Sequence, residues 1–557
     1  MHKPFSISRL FARFTAVLAG IFLLFLTAAS AISTCTMRGD YLEKTFFVSS
    51  PVLPKIILLC LCALILRIPA VRKLLGSALE HSQIIRRRRI LTLTLFLFSA
   101  CWVLITQPTV ISDQEDIQVA AEQLNYGDLS CLRQGGYLAR YPNQTGAILV
   151  SALIQRLIGR DNYLVFQLIN ALLAALSYFI LMCLCEEEGL SIKNPSLLFG
   201  AALLFFPFLL YATFVYATIP SFFLALLAYR RIRAYETSPS FLRALSAGLL
   251  MALAVFLKQN SLIFLIAAVL YSLFSAFRSG LSRLTLTASL ILFAVLALFL
   301  PRALLERATG LSIPDGISPY SYLAMGLKDG GAAPGWYNSY INAVYGEGDV
   351  DAAQQKTIAL QAIRERLGEF QRNPLDAVRF YVQKNASQWN NPTFESLWIN
   401  EVRGSNIRPA DWVRRLIRPT GVDFLTKLLN PIQFLLLFLA FLSLFQSPPD
   451  PKTPAFLLLV TFVGGFLFHT FWEAKCQYTF PYFVLLLPFS ISGLRTLSDF
   501  VTEPCTFLCS LSAGRRVLLL LSLILLLFLS VLLAMSGFLT CDNAAYSDYL
   551  RQLRISG

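Results

Sequence analysis

The run ILTLTLFLFSACWVLITQP at residues 90–108 carries no charged side chain and is long enough to cross a bilayer as a helix. It is one of several such runs in a chain of 557 residues that is 56% hydrophobic and only 14% charged. That composition is typical of a polytopic membrane protein and not of a soluble globular one.

We predict an all-α polytopic membrane protein with about thirteen transmembrane helices. The first run could instead be a cleaved signal peptide, because it has a basic start and the small residues TAASAIS at 27–33, but its length favours an uncleaved anchor. The predicted spans lie near residues 14–34, 52–70, 90–108, 163–185, 196–212, 214–230, 242–257, 260–277, 284–303, 431–447, 454–471, 477–496 and 515–538.

Basic side chains in the short loops predict the orientation, since Lys and Arg are retained on the cytoplasmic side. Lys3 precedes the first run, Arg86 to Arg89 precede the third, and Arg230 and Arg515 mark later loops on the same side if the spans alternate. The N-terminus is therefore expected on the cytoplasmic side of the cell membrane. This topology accounts for most of the net charge of +15, with contacts to anionic membrane lipids and no nucleic acid partner.

Four regions are predicted along the chain. Residues 1–89 form a two-helix addition with a basic cytoplasmic loop, and residues 90–303 form the catalytic membrane core, which includes a first outward loop at 109–162. Residues 304–430 form a mostly helical extracytoplasmic domain, and residues 431–557 contain the C-terminal spans. The two outward segments are too long for turns and must build structure of their own, because irregular backbone is not satisfied in lipid.

Five carboxylates lie among the eighteen residues 111–128 that follow the 90–108 run. Asp113 and Asp116 lie near the end of that run and are three residues apart, so they share one face if this stretch is helical. A carboxylate at the mouth of a membrane cavity can act as a general base or hold a cation. Glu115, Glu122 and Asp128 are more simply explained as solvated side chains at the outer end of the membrane.

The next polar stretch, GGYLARYPNQTG at 135–146, combines Tyr137, Tyr141, Asn143 and Gln144. Such a polar and aromatic surface suits sugar hydroxyls, which hydrogen-bond and stack, although a turn into an interfacial helix at 146–159 explains the same residues.

Two lysines lie in outer junctions that are otherwise very short. Lys258 follows the seventh predicted span, and Lys475 lies between the eleventh and twelfth, next to Trp472 and Glu473. Lysines at helix ends often extend to lipid headgroups, but a phosphate group is the alternative ligand. The three histidines, His2, His81 and His469, are scattered, so no His/Cys metal site is predicted.

The order of these motifs resembles the glycosyltransferase superfamily C, and most closely its bacterial glycosyltransferase family 39-like members, which are similar to protein O-mannosyltransferases and the lipid A aminoarabinose transferase. The resemblance covers roughly residues 90–500. It is carried by SDQEDIQVAAEQLNYGD (112–128), GGYLARYPNQTG (135–146), LKQNSLI (257–263), YLAMGL (322–327), WYN (336–338), KNASQWNNPTFES (384–396) and FWEAKCQYTFPYFVLLLP (471–488).

The resemblance implies a membrane enzyme that transfers a sugar from a polyprenyl-phosphate donor to an envelope glycan, lipid or protein. It implies Asp113 as the catalytic base with Asp116 as the second choice, and it places Lys475 and Tyr478 in the WEAK…Tyr motif. Where that motif has an arginine, this chain has Gln477, which brings no charge to a phosphate. A divalent cation such as Mg²⁺ or Mn²⁺ at the two aspartates would help but is not required.

Other classes of protein share part of this pattern. A transporter or flippase for lipid-linked sugars would also have many helices and outer lysines, although transporters tend to place polar groups at mid-membrane. A polysaccharide polymerase or ligase would use a diphosphate lipid donor. A structural scaffold fits least, because it does not need two large polar outward segments.

Overall fold

Nearly all of the chain is described by a computed structural model, which covers residues 7–77, 79–186, 190, 192–280, 283–348, 351–445 and 450–556. His2, Lys3, and residues 446–447 of the tenth predicted span lie outside the described residues. Most of the described chain is helical.

Eight helices are long and apolar enough to cross a membrane. Their sequences lack charged residues over most of their length, so only the backbone hydrogen bonds of a helix can satisfy them in lipid. They are Ile7–Ile32, His81–Thr106, Tyr163–Cys185, Gln259–Phe277, Leu284–Thr309, Pro419–Ser443, Pro454–Phe471 and Ala513–Ser536.

Three further apolar segments are bent pairs of helices. Leu53–Leu66 and Pro69–Gly76 meet at 85°, Pro195–Leu204 and Pro207–Thr213 at 73°, and Cys476–Val484 and Leu487–Thr502 at 52°. A proline at the start of the second helix or just before it is common to these breaks, since proline removes a backbone donor. Counting each pair as one span gives up to eleven.

The prediction of an all-α membrane protein is confirmed, but the count of thirteen spans is not reached. The two remaining predicted spans are helices that are too polar or too short to count as membrane-crossing. Thr218–Thr237 ends in a stretch with three arginines, and Phe241–Leu257 is a shorter apolar helix of 17 residues.

A two-stranded antiparallel hairpin, Ser33–Met37 with Thr45–Ser49, follows the first helix and was not predicted. Its strands are rich in Thr, Phe and Val, which favour extended backbone. Both strands are fixed to other parts of the chain: Cys35 N donates to Asn390 O at 3.0 Å, and Thr45 N donates to Ala332 O at 3.0 Å. The N-terminal region is thus packed against the segment between Leu284–Thr309 and Pro419–Ser443.

The remaining helices build the segments that are predicted to lie outside lipid. Asp113–Asn125 begins at the predicted acidic motif, and Thr145–Ile158 covers the predicted interfacial stretch. The others are Ser130–Leu132, Tyr137–Arg140, Pro142–Gln144, Pro319–Met325, Tyr340–Glu347, Ala352–Arg372, Pro374–Trp389, Trp398–Val402, Asp411–Ile417, Pro504–Ser510 and Asn543–Ser556.

Segments that the alternating topology places on one side contact each other. On the predicted outer side, Thr109 N donates to Gly404 O at 3.0 Å, and Ile317 N donates to Arg140 O at 3.0 Å. The segments 109–162 and 304–430, which are predicted to face outward, therefore contact each other. On the predicted inner side, Asn194 Nδ2 donates to Ser77 Oγ at 3.1 Å. These contacts agree with alternating spans, while the choice of which side is cytoplasmic stays a prediction.

Candidate functional site

Asp113 is the first residue of the Asp113–Asn125 helix, whose first turn also holds Glu115 and Asp116. Carboxylates are favourable there because the helix N-terminus carries partial positive charge. The preceding Ser112 has φ 54°, a conformation that is uncommon for a residue with a side chain. Gln114 Oε1 accepts a hydrogen bond from Val215 N at 2.8 Å. This bond fixes the start of the helix against the segment around Val215.

The Asp113 carboxylate can be reached by water but has protein on several sides. Its side chain is exposed, yet burial is the main cause that raises its pKa above the ordinary value. These two observations agree if the carboxylate lines a recess that is open to solvent at one end. The charges of Lys475 and Lys258 and a hydrogen bond from Tyr137 oppose the rise in pKa, and the charge of Glu43 adds to it.

Lys258 follows the Phe241–Leu257 helix and is held by uncharged groups. Its Nζ atom donates to Thr218 Oγ1 at 2.8 Å and lies 4.1 Å from the centre of the Tyr216 ring and 5.6 Å from that of Tyr478. Burial lowers the pKa of Lys258 to about 7, and the charge of Asp113 partly opposes this. Within the described part of the chain, no carboxylate forms an ion pair with Lys258, so its charge is available to an anion.

Lys475 is paired very differently. Both carboxylate oxygens of Glu43 lie 2.8 Å from its Nζ atom, and its ammonium is 5.5 Å from the centre of the Trp398 ring. Burial alone would lower the pKa of Lys475, but the charges of Glu43 and Glu395 outweigh burial and raise it. Lys475 therefore stays charged and is already neutralised by a carboxylate.

A second buried lysine, Lys384, contacts the backbone of the WEAK motif. Lys384 Nζ donates to Trp472 O at 2.7 Å and also to Gly326 O, and the Trp472 ring stacks on Tyr322 with centroids 5.5 Å apart. Glu473 is buried, and burial raises its pKa to about 7. The charges of Lys475 and Asp113 also act on Glu473, which places it in the same electrostatic cluster.

The predicted sugar-binding residues lie beside these charges. The rings of Tyr137 and Tyr141 are 5.0 Å apart, and Tyr141 Oη lies 3.3 Å from Asn342 Oδ1 of the second outward segment. Gln144 Nε2 donates to Tyr216 Oη at 2.9 Å and so orients the ring that covers Lys258. Asn143 is exposed.

Asp116 is exposed, and it lies close enough to Asp113 for the Asp113 charge to affect its pKa. Burial, followed by the negative charges of Asp113 and Glu115, raises the pKa of Asp116. The described residues contain no group of three or more His, Cys, Asp or Glu side chains arranged to hold a metal ion. The prediction of a shared divalent cation therefore depends on the two aspartates alone.

Gln477, which replaces the arginine of the resembling family, has a specific partner. Its Oε1 atom accepts a hydrogen bond from Tyr211 Oη at 2.8 Å. The side chain is therefore directed toward Tyr211, and an arginine at this position could not accept the same hydrogen bond because a guanidinium has only donors.

Two acidic residues of this cluster were missed by sequence reasoning. Glu43 comes from the hairpin, and Glu395 comes from the NNPTFES motif and is buried beside Lys475. Glu43, Ser112 and the consecutive Phe394 and Glu395 have φ between 48° and 59°. Strained backbone of this kind clusters at functional sites because the surrounding structure has to hold it. The quoted motif was the only available signal for Glu395, and no local pattern singled out Glu43.

The apolar spans define a multi-pass integral membrane protein. Its charged cluster lies where the segments that connect these spans meet. The chain belongs to the family described as conserved hypothetical integral membrane protein, whose sequence model matches residues 8–488. It matches none of the curated proteins with which it was compared. The family description names no activity, so the function has to be argued from the site.

Proposed function

We propose that this protein is a membrane glycosyltransferase that moves a sugar from a polyprenyl-phosphate donor to a cell-envelope acceptor on the outer face of the cytoplasmic membrane. One observation supports this proposal above all. Asp113, Lys258 and Lys475 come from three distant parts of the sequence, yet each lysine acts on the pKa of Asp113. A base and two cations in one recess are the groups that transfer from a phosphate requires.

Asp113 is the proposed general base. It accepts the proton of the acceptor hydroxyl while the acceptor oxygen forms a bond to the anomeric carbon of the sugar. The bond between that carbon and the phosphate oxygen breaks, and the polyprenyl phosphate leaves with the electron pair. Attack opposite the leaving group inverts the anomeric configuration. The raised pKa of Asp113 brings it closer to the working pH, which favours general-base catalysis.

Lys258 and Lys475 are proposed to bind the donor phosphate, whose negative charge grows as the bond breaks. Lys258 is the better placed of the two, because it has Thr218 and aromatic rings as neighbours instead of a paired carboxylate. Hydrogen bonds that involve charged groups contribute about 1.5–3 kcal/mol each.

The sugar and the acceptor are proposed to bind between the two outward segments. Tyr137, Tyr141, Asn143 and Gln144 provide hydroxyl and amide groups on one side of the recess, and Trp472, Glu473 and Tyr478 provide the other side. Aromatic faces and hydrogen-bonding groups together suit a sugar, which has both apolar C–H faces and hydroxyl groups.

A transporter or flippase for lipid-linked sugars is the second candidate, and the three bent helix pairs favour it. Discontinuous membrane helices are frequent at the substrate sites of transporters. A transporter needs no base, so Asp113 would serve only to bind or to couple protons.

The test uses purified protein in lipid nanodiscs with a labelled polyprenyl-phosphate sugar and an envelope extract as acceptor. Asp113→Asn keeps the size of the side chain, so donor affinity should hold while turnover falls by about 10²–10⁴. Asp128→Asn is the matched control: Asp128 is an exposed acid of the same segment whose Oδ1 accepts from Ser130 N at 2.9 Å, a contact that asparagine preserves. Normal turnover in Asp113→Asn contradicts the assigned role. The same protein in sealed proteoliposomes tests the alternative, since movement of the donor across the bilayer without a transfer product favours the transporter.

A further inference from the structure

The pair of Glu43 and Lys475 joins the N-terminal hairpin to the proposed donor site. A lysine ammonium has three N–H donors, and the two oxygens of Glu43 lie 2.8 Å from Lys475 Nζ. A phosphate that binds Lys475 also uses these donors. The Glu43 carboxylate thus takes up to two of the three donors that Lys475 could offer to a phosphate.

The charges around Lys475 make this occupation significant. Glu395 is a second carboxylate that acts on Lys475, and it is buried. Two carboxylates beside one ammonium disfavour a further anion, most strongly when Glu395, whose pKa burial raises to about 7, is ionised. Asp113 and Glu473 also act on Lys258 through their charges, but its ammonium contacts Thr218 and aromatic rings and forms no ion pair within the described part of the chain. The two lysines are therefore not equivalent, because Lys475 has a carboxylate in direct contact.

The hairpin holds Glu43 at its tip by main-chain contacts. Glu43 has φ 49°, its N–H donates to Asp40 O at 3.3 Å, and Trp398 Nε1 donates to the same carbonyl at 3.3 Å. The two residues before it, Tyr41 and Leu42, are 64% and 68% exposed. The Glu43 side chain is itself 17% exposed, so its carboxylate is not fully enclosed and one side of it faces solvent.

We propose that Glu43 is the resident counter-ion of Lys475 and that the phosphate of the polyprenyl-phosphate donor displaces it. The inference rests on the proposed function and adds a residue from outside the 90–500 region that carries the resemblance. Before the donor binds, Glu43 is the direct ion-pair partner of a largely buried cation, and loss of that partner without a replacement is unfavourable. When the donor binds, the phosphate replaces Glu43, so the charge of Lys475 is always balanced.

A competing internal anion lowers apparent affinity, because only the fraction of protein with Lys475 released can bind the donor there. Glu43→Gln removes the competing charge and keeps the size of the side chain. The dissociation constant for polyprenyl phosphate without a sugar, measured in nanodiscs, is expected to fall by about tenfold if about one tenth of the wild-type protein is in the released state. Glu122→Gln is the matched control, since Glu122 forms an ion pair with Arg160 at 2.7 Å in the first outward segment. Its affinity should equal that of the wild type.

Two further variants keep the test decisive. Glu43→Asp keeps the charge but shortens the side chain, so it should strengthen binding by a smaller factor, and it serves if Glu43→Gln does not fold. In a Lys475→Met background, Glu43→Gln should give no gain. Unchanged or weaker binding in both Glu43 variants overturns the inference. If the wild type binds and transfers while these variants match it, only the Glu43 inference fails; if the wild type neither binds polyprenyl phosphate nor transfers sugar, the proposed function fails.

Discussion

The Nζ atom of Lys258 lies 4.1 Å from the centre of the Tyr216 ring, so an aromatic face and a hydroxyl group stand where most buried lysines have a carboxylate. Cation–π attraction holds the ammonium without cancelling its charge. Tyr216 is itself oriented by Gln144, which belongs to the first outward segment. The segment that contains the proposed base, Asp113, thus also orients the ring that holds the Lys258 ammonium in place.

Lys258→Met should weaken donor binding by roughly tenfold or more, because methionine keeps much of the apolar stem but loses a charged hydrogen bond worth about 1.5–3 kcal/mol. Lys356→Met is the matched control: the Lys356 ammonium also lies over an aromatic ring, 5.0 Å from the centre of Tyr320, but in the helix Ala352–Arg372 outside the charged cluster. Donor titration in nanodiscs measures both. Equal affinities for the wild type and Lys258→Met would return Lys258 to a role in contacting lipid headgroups.

Donor binding should also weaken as pH rises. The pKa of Lys258 is lowered to about 7, chiefly by burial, so its ammonium loses its proton as pH passes through that value. Between pH 6 and pH 8 the charged fraction of such a group falls by about tenfold, and donor affinity should fall with it. The sugar-linked donor is a phosphodiester whose charge is constant over this range. Lys258→Met should lose most of this pH dependence. A smaller part should remain, because burial also raises the pKa of Glu473 to about 7 and its ionisation disfavours an anion. An equally steep profile in Lys258→Met would assign the titration to another group.

Much of the site could be predicted because its groups follow local rules. Asp113 follows an apolar run, and Lys258 and Lys475 interrupt apolar sequence at predicted junctions, so each is conspicuous in the sequence alone. Glu43 could not be predicted in the same way. It reaches Lys475 only because the hairpin packs on the segment near Asn390, and that contact is between residues far apart in the chain.

Eight to eleven of the thirteen predicted spans meet the length and hydropathy requirement for crossing a membrane, and the difference has a physical reason. Hydropathy measures whether a segment can be buried in lipid, but not whether it stays straight. Bends of 52° to 85° occur in segments with a proline at or next to the break, and Thr218–Thr237 ends in a stretch with three arginines, of which Arg230 and Arg231 are exposed. Non-helical backbone at such a break is tolerated where it is buried in protein or lines a cavity.

Gly146→Ala should destabilise the protein and disturb the site. Gly146 lies in the Thr145–Ile158 helix, and a Cβ atom there would overlap the carbonyl oxygen of Phe256, two residues before Lys258. Overpacking of this kind costs about 1–3 kcal/mol, so the melting temperature and donor affinity should both decrease. Gly368→Ala is the control, because a Cβ at that helical position meets no atom within 4 Å and should stabilise by about 0.5–1 kcal/mol. Full stability in Gly146→Ala would show that the two helices are not this close.

The orientation can be tested by labelling single cysteines, introduced into a cysteine-free background, with an impermeant thiol reagent in intact cells. Tyr126→Cys and Glu347→Cys should react from outside, and Ser82→Cys should react only after the membrane is opened. All three positions are exposed, so access to the reagent depends on the side of the membrane. Leu42→Cys, at the hairpin tip, should behave like Tyr126→Cys. Labelling at 82 without labelling at 126 would invert the topology and remove the basis for donor transfer on the outer face.

Asp116→Asn distinguishes a neighbour that tunes the proposed base from a partner in holding a cation. Negative charge at Asp113 raises the pKa of Asp116, and the interaction is mutual, so removal of the Asp116 charge should lower the pKa of Asp113. A base with a lower pKa stays ionised at lower pH. The acidic limb of the turnover profile should therefore shift to lower pH, while turnover at neutral pH falls by less than about tenfold, which is less than the loss expected from removal of the base. Chelation of divalent cations should leave both proteins unchanged. A loss as severe as that of Asp113→Asn, reversed by added Mn²⁺, would show instead that the two carboxylates act together through a metal ion.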